Sequence, residues 1–545
     1  MRNKANFLLI IAVVISIALG IFRINAAEPH ADEWVVLSVF DSKWSDFLKD
    51  FFDSEGVWGR YYPPLYPVVA RAYGSLFGET LVSMRILSVA ALVGLVLLSW
   101  YSFPVVTQSQ DLRWRIFFSL TVGTAPPHIW WAQTGKYTMF LYLMYALSIV
   151  AALRFIQNRS IKSAIISSFS LSAVIYTHYL GFIFTLAHFC TLVLVAVWRR
   201  DSIFIRRLIL SAAIVALLAA PLLPVVYKAN QLNERGGLFA RYDQPVEPGV
   251  IIRGFLTHWN FGYSLIPKHG VLSVASNFTE SISEWNVAKA VSALRRIALP
   301  LSAVLVLGIS IVFSLVPILK SDFSQLNATY IIALPIFTFI FSLSKGLADR
   351  FMYFGFGTWC TLAFLVIGWV RCKRFKFPLA LAISILVLFT ISLSIYYQRL
   401  AYKYPGSRLV MEFLKSPGRG FNFVLVDEWI TNIRGTPLEP NMLPPEVYLH
   451  ILPLGKEIPI ELLKGSKTVA FFGGTIKSVN SYLEKNKKKY PDLSWVQLES
   501  WVSMEQEERS IHAYHLFLYP KARGDNLSKS YAKIPIEKQP SHNTE

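Results

Sequence analysis

The chain has 545 residues, of which 54% are hydrophobic and only 16% are charged. This balance, with a mean hydropathy of +0.44, excludes an ordinary soluble enzyme and predicts a polytopic membrane protein, because each bilayer-spanning helix needs roughly 20 mostly apolar residues. The net charge of +19 would suit nucleic acid, but the basic residues concentrate in short loops between apolar segments, as membrane topology predicts. We therefore expect a lipid bilayer and no nucleic acid as partners. Cys190, Cys360 and Cys372 indicate no structural disulfide.

Eleven apolar segments predict eleven membrane-spanning helices. Arg2 and Lys4 precede the first segment, so we expect a cytoplasmic N-terminus, and we favour a retained signal-anchor helix over a cleaved signal peptide. With this start, the loops after every second segment face the cytoplasm, and four of those five loops are net basic, as the positive-inside rule requires. The segments lie near residues 6–24, 81–103, 116–132, 137–155, 162–180, 180–198, 208–227, 299–319, 329–345, 351–370 and 378–397.

Two long loops are expected on the extracytoplasmic side. The first, about 25–80, is rich in acidic residues and contains two amphipathic stretches, beginning near Trp34 and Tyr66, that are typical of helices in the membrane interface. The second, about 228–298, is polar and interrupted by glycine and proline, and its length is typical of a functional lid or platform. The extracytoplasmic side is therefore where we expect the chemistry.

The composition changes after Tyr397. An amphipathic helix and four short β-like runs predict a small α/β domain outside the membrane. The helix covers residues 479–488, and the runs cover 422–426, 468–472, 495–498 and 512–519. The predicted domains are therefore a transmembrane domain over 1–397, a soluble extracytoplasmic α/β domain over 398–522 and a disordered polar tail over 523–545.

Two adjacent carboxylates, Asp32 and Glu33, follow directly after the first apolar segment. Ionisable residues at a membrane edge are costly and are functional candidates for that reason. A carboxylate in a partly desolvated pocket can act as a general base, with a pKa set by its neighbours. The alternative is a solvated acidic loop that helps to keep this segment outside. His30 leaves a divalent cation open, although no cofactor is predicted.

Cationic and hydrogen-bonding side chains recur at the predicted outer ends of the helices. Lys136 lies on the side where the positive-inside rule disfavours a cation, so we expect it to have a partner such as a phosphate or an acid. The alternatives are interfacial anchoring for Arg60, packing for His178, and a local ion pair with Asp349 for Arg350. The candidate phosphate-binding residues are Lys136, Arg60, Tyr62, Arg85, His178, Tyr179 and Arg350.

Acids in the first outer loop and cations at several helix ends suit a lipid substrate that carries phosphate. Cations stabilise the charge that develops on a leaving polyprenyl phosphate, and a carboxylate deprotonates an acceptor hydroxyl. An inverting attack at a sugar C1 needs one such base. The pattern therefore favours a transferase of a lipid-linked sugar.

The short motifs also follow one another in a recognisable order. They are Asp32-Glu33, Pro63-Pro64-Leu65-Tyr66, Phe77-Gly78-Glu79 with Arg85, Gln133-Thr134-Gly135-Lys136-Tyr137, Thr177-His178-Tyr179, Pro221-Leu222-Leu223-Pro224 and Asp349-Arg350-Phe351. The ordered set resembles the GT-C superfamily of membrane glycosyltransferases, and most of all its branch of protein-O-mannosyltransferases and lipid A aminoarabinose transferases (families 39 and 83). The resemblance covers about the first 360 residues and implies a GT-C-type transmembrane bundle.

The resemblance implies an extracytoplasmic transferase that passes a sugar from a polyprenyl-phosphate donor to an envelope glycan, lipid or protein. It implies that Asp32 is the catalytic base, with Glu33 beside it. Lys136 stands where the family usually has arginine or another polar residue. Tyr62 stands where relatives often have lysine or histidine, which leaves Arg60 as an alternative contact to the donor phosphate. Many members of this branch need no metal.

Two other functions remain open. A lipid or solute transporter would place ionisable residues near the centres of spans and would show inverted repeats, whereas this sequence clusters its charges at the outer helix ends. A surface-polysaccharide polymerase or ligase would use a diphosphate-linked donor and would rely on arginines and a histidine in a large outer loop. The candidates for that chemistry are Arg235, Arg241, Arg253, His258 and His269.

Overall fold

A computed structural model shows a mainly helical chain followed by a small β-sheet. Among the described residues, every strand lies after residue 422. The described residues are 2–26, 33, 36–40, 43–51, 63–227, 255–262, 287–320, 322–343, 356–372, 376–398, 423–427, 448–452, 469–473, 476–491, 493–501 and 511–518.

The helical part of the chain consists of long apolar helices and a few short ones. Short 3₁₀ turns span Ser38–Phe40 and Ala220–Leu222, and a π-helical turn spans Thr257–Phe261. The α-helices before residue 399 are α1 (Arg2–Ile21), α2 (Trp44–Asp50), α3 (Leu65–Phe77), α4 (Leu81–Thr107), α5 (Leu112–Thr124), α6 (Pro126–Ala132), α7 (Thr138–Asn158), α8 (Ile161–Thr177), α9 (Leu180–Arg199), α10 (Ser202–Ala219), α11 (Val287–Ile318), α12 (Asp322–Leu343), α13 (Phe356–Val370) and α14 (Lys376–Gln398).

Helix α4 is the central element of the helical bundle and packs against α1, α5, α7 and α13. The hydroxyl of Thr80 accepts a hydrogen bond from the amide of Ser83 at 3.2 Å, which satisfies one of the amides left without a partner at the start of a helix. Leu92 and Leu95 are fully buried in its middle. Its 27 residues rise about 40 Å, more than the roughly 30 Å hydrocarbon core of a bilayer.

Within the described residues, seven helices are long and apolar enough to cross a membrane, namely α1, α4, α7, α9, α10, α11 and α14. The shorter helices α8 and α13 and the stretch Gln325–Phe341 of α12 are also apolar. The prediction of a mainly helical polytopic membrane protein is therefore confirmed. The count of eleven spans stays a prediction, because it depends on how the shorter helices lie in the bilayer.

The third predicted segment, 116–132, is interrupted. Helix α5 ends at Thr124 and α6 begins at Pro126, and Ala125 between them has a ψ of 125°. Pro126 and Pro127 lack amide hydrogens and clash with a preceding helical turn, so they can begin a helix but cannot continue one. The break turns the chain before it reaches the loop that contains Lys136.

Parts of the first predicted outer loop are helical, as its amphipathic spacing predicts. Arg71 of α3 joins these parts, because its Nη1 donates a hydrogen bond of 2.7 Å to the carbonyl oxygen of Val39. The same guanidinium lies over the rings of Trp44 and Phe47, at 4.7 and 4.8 Å from their centroids. Arg71 thus holds the segment around α2 against α3. The location of these helices in the membrane interface stays a prediction.

The chain divides into two compact units. The first unit holds the helical bundle, and the second holds the sheet. The first comprises Met1–Ile24, Val35–Ile266 and Ala298–Tyr396, and the second comprises Asn25–Trp34, Pro267–Ile297 and Tyr397–Glu545. The functional domain boundaries proposed from the sequence stay predictions.

The sheet of the second unit has five strands in the order β2-β1-β3-β5-β4. Its strands are β1 (Phe423–Asp427), β2 (Tyr448–Leu452), β3 (Val469–Gly473), β4 (Leu493–Trp501) and β5 (Ile511–Leu518). β1 pairs in parallel with β2 and β3, whereas β5 pairs antiparallel with β3 and β4. Helix α15 (Ile476–Lys489) packs on the sheet through Val479 and Leu483, which share a buried cluster with Phe471.

Four of these strands and α15 fall where the sequence predicts them. The exception is β2, whose residues Tyr-Leu-His-Ile-Leu show no strict alternation of polar and apolar side chains and follow a proline-rich stretch. Among the described strands, β2 lies at the edge of the sheet and pairs only with β1, a strand from an earlier part of the chain, so its place in the sheet is set by tertiary contacts that a local pattern does not show.

Candidate functional site

Polar side chains from several helix ends meet at one end of the helical bundle. Arg85, near the start of α4, is only 1% exposed, and its Nη1 donates a hydrogen bond of 2.6 Å to the carbonyl oxygen of Ile24. Nε2 of Gln133 donates a hydrogen bond of 2.7 Å to the carbonyl oxygen of Phe22. Two buried side chains thus hold the turn through which the chain leaves α1.

The loop between α6 and α7, residues 133–137, is buried beside α4. Ser88 donates its hydroxyl hydrogen to the carbonyl oxygen of Thr134 at 2.7 Å. Because Arg85 and Ser88 are three residues apart on α4, they lie on one face of that helix. The hydrogen bond from Ser88 therefore places the loop on the face that carries Arg85.

Lys136 in this loop is fully buried. Its Nζ lies 4.7 Å from the centroid of the Trp131 ring and 6.0 Å from that of Tyr137. A desolvated cation over an aromatic face gains about 2 kcal/mol, and a low-dielectric environment strengthens its attraction for any nearby anion. The loop therefore places an amine, held against two aromatic rings, at this end of the bundle.

Tyr137 connects the loop to the turn between α8 and α9. Its ring lies 4.6 Å from the ring of His178 and meets Tyr66 edge-on at 6.4 Å. Nδ1 of His178 accepts a hydrogen bond of 3.0 Å from the amide of Leu180. In the neutral ring the hydrogen is then on Nε2, so His178 has a hydrogen-bond donor on its other side.

The structure brings together the predicted phosphate-binding residues that belong to the described first unit. Lys136 and His178 are linked through Tyr137, and Arg85 adjoins the same loop through Ser88. Tyr179 directly follows His178 in the turn between α8 and α9 and is half-buried. Their contact with a phosphate stays a prediction.

The remaining predicted site residues are distributed differently. Glu33 belongs to the second unit, and its side chain is fully buried. The other four lie outside the described residues, so their roles stay predictions. They are Asp32, Arg60, Tyr62 and Arg350.

Two residues of the cluster had no role in the sequence predictions. The hydroxyl of Tyr396, near the end of α14, donates a hydrogen bond of 2.8 Å to Oε1 of Gln133, and its ring lies 5.3 Å from that of Trp130. Gln133 is the first residue of the motif that contains Lys136, and this position is the only indication in the sequence that Gln133 belongs to the site. Tyr396 at the end of an apolar helix resembles an ordinary interfacial aromatic residue.

The opposite end of the bundle has its own polar contacts. Nε2 of Gln157 donates to the carbonyl oxygen of Val105 at 2.7 Å, and Nη1 of Arg199 donates to that of Ile156 at 2.7 Å. Basic and amide side chains commonly satisfy the last carbonyls of helices in this way. The C-terminal ends of α4, α7 and α9 thus meet at the end of the bundle away from Lys136. Which end faces the cytoplasm stays a prediction.

An apolar cavity of about 530 Å³ lies within the first unit. The π-helical turn contributes Trp259, whose ring occupies the space where a Cβ at Gly357 would stand. The remaining lining comes from Phe255 and from α11, α12 and α13. It is almost entirely apolar, with Pro335, Phe339, Cys360 and Phe364 among its residues. Such a cavity can accept a hydrocarbon chain.

One polar pair lies midway along the helices. Nδ1 of His188 in α9 and the hydroxyl of Tyr330 in α12 are 2.8 Å apart, and both side chains are fully buried. Ionisable residues at such a depth are functional candidates. A transporter would have ionisable side chains near the centres of its spans, and among the described residues this pair agrees with that alternative.

No group of three or more histidine, cysteine, aspartate or glutamate side chains converges in the part of the chain that the structure describes. His30 and Asp32 lie outside that part. A divalent cation at the acidic segment therefore stays an open question for experiment.

The helices, their separated polar ends and the apolar cavity define a polytopic membrane protein with a candidate anion site at one end. No family model and no curated protein matches the chain. Among the solved structures to which the chain is similar are an oligosaccharyltransferase, ArnT and an arabinofuranosyltransferase.

The first is the oligosaccharyltransferase of Archaeoglobus fulgidus in complex with zinc and sulfate, at 14% identity and a TM-score of 0.43, and the match covers 80% of this chain and 62% of that chain. This chain thus spans less than two thirds of the length of that enzyme. The second is ArnT from Cupriavidus metallidurans, at 13% identity and a TM-score of 0.40, and the match covers 94% of this chain and 98% of that chain. The third is the mycobacterial arabinofuranosyltransferase AftD, at 12% identity and a TM-score of 0.41, and the match covers 94% of this chain and 40% of that chain.

Proposed function

We propose that the protein is a membrane glycosyltransferase that moves a sugar from a polyprenyl-phosphate donor to an extracytoplasmic acceptor, with inversion at C1. Asp32 is the general base in this proposal, and the acceptor is a hydroxyl of an envelope glycan, lipid or protein. The observation that carries the proposal is the buried cluster of Arg85, Lys136 and His178 at one end of a bundle of apolar helices.

The buried cations support a phosphate leaving group. Lys136 and Arg85 are both almost completely removed from solvent, where a positive charge interacts much more strongly with a developing negative charge than it does in water. Both side chains are held in place before any donor binds, Lys136 by the Trp131 ring and Arg85 by the Ile24 carbonyl. Little reorganisation is then needed when the phosphate leaves.

The apolar cavity supports a lipid-linked donor. Its walls present hydrocarbon and aromatic surface rather than the hydrogen-bonding groups that would recognise a free sugar nucleotide. A polyprenyl chain gains roughly 25 cal/mol for every Å² of apolar surface that it buries there. The chain anchors the donor in the bilayer, and the phosphate can then be bound at the polar end of the bundle.

The reaction in this proposal requires one proton transfer and one displacement. Asp32 accepts the proton of the acceptor hydroxyl, and the acceptor oxygen attacks C1 of the sugar. The bond between C1 and the phosphate oxygen breaks, and its electron pair remains on the polyprenyl phosphate. Lys136, Arg85 and the donors of His178 and Tyr179 stabilise that charge.

The direct test begins with the purified full-length protein. Lipids that co-purify with it are extracted and identified by mass spectrometry, and membranes that contain the protein are supplied with labelled polyprenyl-phosphate sugars. We expect a monophosphate-linked polyprenyl lipid and transfer of label to an acceptor. Transfer only from a diphosphate-linked donor would instead establish a polymerase or ligase. Movement of intact lipid or solute without transfer would establish a transporter, the alternative that the buried pair of His188 and Tyr330 favours.

A further inference from the structure

We infer that Gln133 is a positioning residue for the transfer reaction, because its amide fixes the point from which the segment containing Asp32 and Glu33 begins. The inference rests on the proposed function and adds a residue to it. Nε2 of Gln133 faces the carbonyl oxygens of Leu19, Gly20 and Phe22 at 3.3, 3.2 and 2.7 Å. No role in phosphate binding or proton transfer is assigned to this side chain.

The end of α1 needs such a partner. The last four carbonyl groups of a helix have no amide of their own helix to bond, and a nonpolar surrounding makes that deficiency costly. Only 17% of the membrane-crossing window of α1 is buried by the rest of the protein. Helix α1 packs against α4 and α5 along one face, and the polar bonds at its end add to this packing in fixing where the chain leaves it.

The oxygen of the Gln133 amide also has a hydrogen-bond partner. Tyr396 donates to Oε1 at 2.8 Å, and a phenol can donate there only if the oxygen of the amide, rather than its nitrogen, faces it. Nε2 must then face the carbonyls of α1. The ring of Tyr396 packs 5.3 Å from that of Trp130, so the hydroxyl that orients the amide is itself held in place.

These bonds lie at two chain exits from the first unit. Phe22 is followed within three residues by Asn25, where the second unit begins, and Tyr396 is the last residue before the chain returns to that unit. Asp32 is ten residues after Phe22 along the chain. A shift of about 1 Å in the position of a reacting group can lower a rate roughly a hundredfold, so the start of this segment matters for the reaction even though Gln133 touches no substrate.

The test compares Gln133→Met with a matched control, Gln157→Met. Both changes remove a glutamine amide that bonds a backbone carbonyl at a helix end, but Gln157 is at the opposite end of the bundle, where it bonds Val105. Gln133 makes more bonds than Gln157, so we expect the larger decrease in unfolding temperature in Gln133→Met, and kcat is measured on the folded fraction of each variant. Only Gln133→Met should lower kcat with a labelled polyprenyl-phosphate sugar, by roughly ten- to a hundredfold, with a donor KM within about threefold of the wild type. Tyr396→Phe should lower kcat less.

A second measurement does not depend on activity. Hydrogen exchange of the backbone amides of residues 22–26, where this segment begins, should be faster in Gln133→Met than in the wild type and unchanged in Gln157→Met. Equal exchange in all three proteins would overturn the inference, as would an equal loss of kcat in the two methionine variants. If the wild type transfers no sugar while exchange in Gln133→Met is faster, the proposed function fails and the positioning of this segment by Gln133 stands.

Discussion

The Nη1 atom of Arg85 lies 2.6 Å from the carbonyl oxygen of Ile24, and it joins the first turn of α4 to the chain just after α1. The arginine was expected to bind a phosphate, and this contact shows that one of its nitrogens also has a structural task. A guanidinium has five hydrogen-bond donors in a fixed plane, and the bond to Ile24 uses one of them. Arg85 therefore couples the geometry of the chain exit to the charge of the site.

The first prediction concerns the two roles of Arg85, which are to hold the Ile24 carbonyl and to bind a phosphate. Arg85→Lys keeps the charge but loses the planar set of donors, so it cannot hold the Ile24 carbonyl and serve a phosphate together. We expect transfer to fall roughly tenfold or more. Arg154→Lys, a change at an exposed arginine of α7, is the control and should have no effect. Wild-type rates for both variants would show that the plane of donors at Arg85 is not needed.

The second prediction concerns the buried ammonium of Lys136. Lys136→Met keeps most of the side-chain volume against Trp131 and removes the charge. If that charge attracts the donor phosphate, the apparent donor KM should rise roughly tenfold, which corresponds to about 1.4 kcal/mol. Lys136→Arg should retain more of the affinity. Lys162→Met, at an exposed lysine in the first turn of α8, should leave KM unchanged. A donor KM and a kcat that are both unchanged in Lys136→Met would assign this lysine a purely structural role.

The third prediction tests the apolar cavity through one of its walls. A Cβ at Gly357 would overlap the ring of Trp259, so Gly357→Ala must displace that ring and reshape the cavity. Forcing an extra methyl into a packed site costs about 1–3 kcal/mol, and we expect binding of polyprenyl phosphate to weaken. The control is Gly308→Ala in α11, where no atom lies within 4 Å of the added Cβ. Unaltered lipid binding in Gly357→Ala would place the lipid elsewhere.

The fourth prediction concerns the pH dependence of stability at the opposite end of the bundle. Asp201 accepts a hydrogen bond of 3.0 Å from the amide of Phe204 at the start of α10 and pairs with Arg159 at 2.8 Å. The Phe204 amide in the first place, and then Arg159, hold the pKa of the Asp201 carboxyl below its usual value, although partial burial acts in the other direction.

Because the pKa of Asp201 is lower in the folded state than in the unfolded state, its stabilisation is complete above the unfolded value and is lost as the pH falls through the folded value. Asp201→Ala should therefore lower the free energy of unfolding by about 1 kcal/mol at neutral pH, and the difference from wild type should shrink in acid. Asp201→Asn keeps an oxygen that can accept the hydrogen bond from the Phe204 amide, so it should lose less stability than Asp201→Ala. Thermal unfolding in detergent at several pH values measures the difference in stability between the wild type and Asp201→Ala. A difference that does not change with pH would contradict the prediction.

The helical bundle was predictable because its signals are local. Apolar segments of membrane-crossing length and the alternation of basic loops lie in the sequence itself, and α4, α7 and α9 appear where those segments predict them. The interruption at Ala125 was also encoded locally by Pro126 and Pro127, but the even hydrophobicity of the segment around it concealed the break.

The candidate site was only partly predictable, since it depends on contacts between distant residues. Lys136 attracted attention as a cation on the wrong side of a membrane, and His178 as a histidine in a short turn. Neither pattern could show that Tyr137 joins them, or that Gln133 bonds residues more than 110 positions earlier in the chain. An amide at the end of an apolar helix has no local signal of that role.

The central claim is that Asp32 is the base of a transferase acting on a polyprenyl-phosphate sugar. The most direct measurement is the rate of sugar transfer by Asp32→Asn in membranes with matched expression, beside Glu33→Gln. The account predicts that Asp32→Asn loses transfer by roughly a hundredfold or more, as expected for the removal of a general base, while polyprenyl-phosphate binding persists. Wild-type transfer by Asp32→Asn would contradict the account, and a loss confined to Glu33→Gln would move the base to the neighbouring carboxylate.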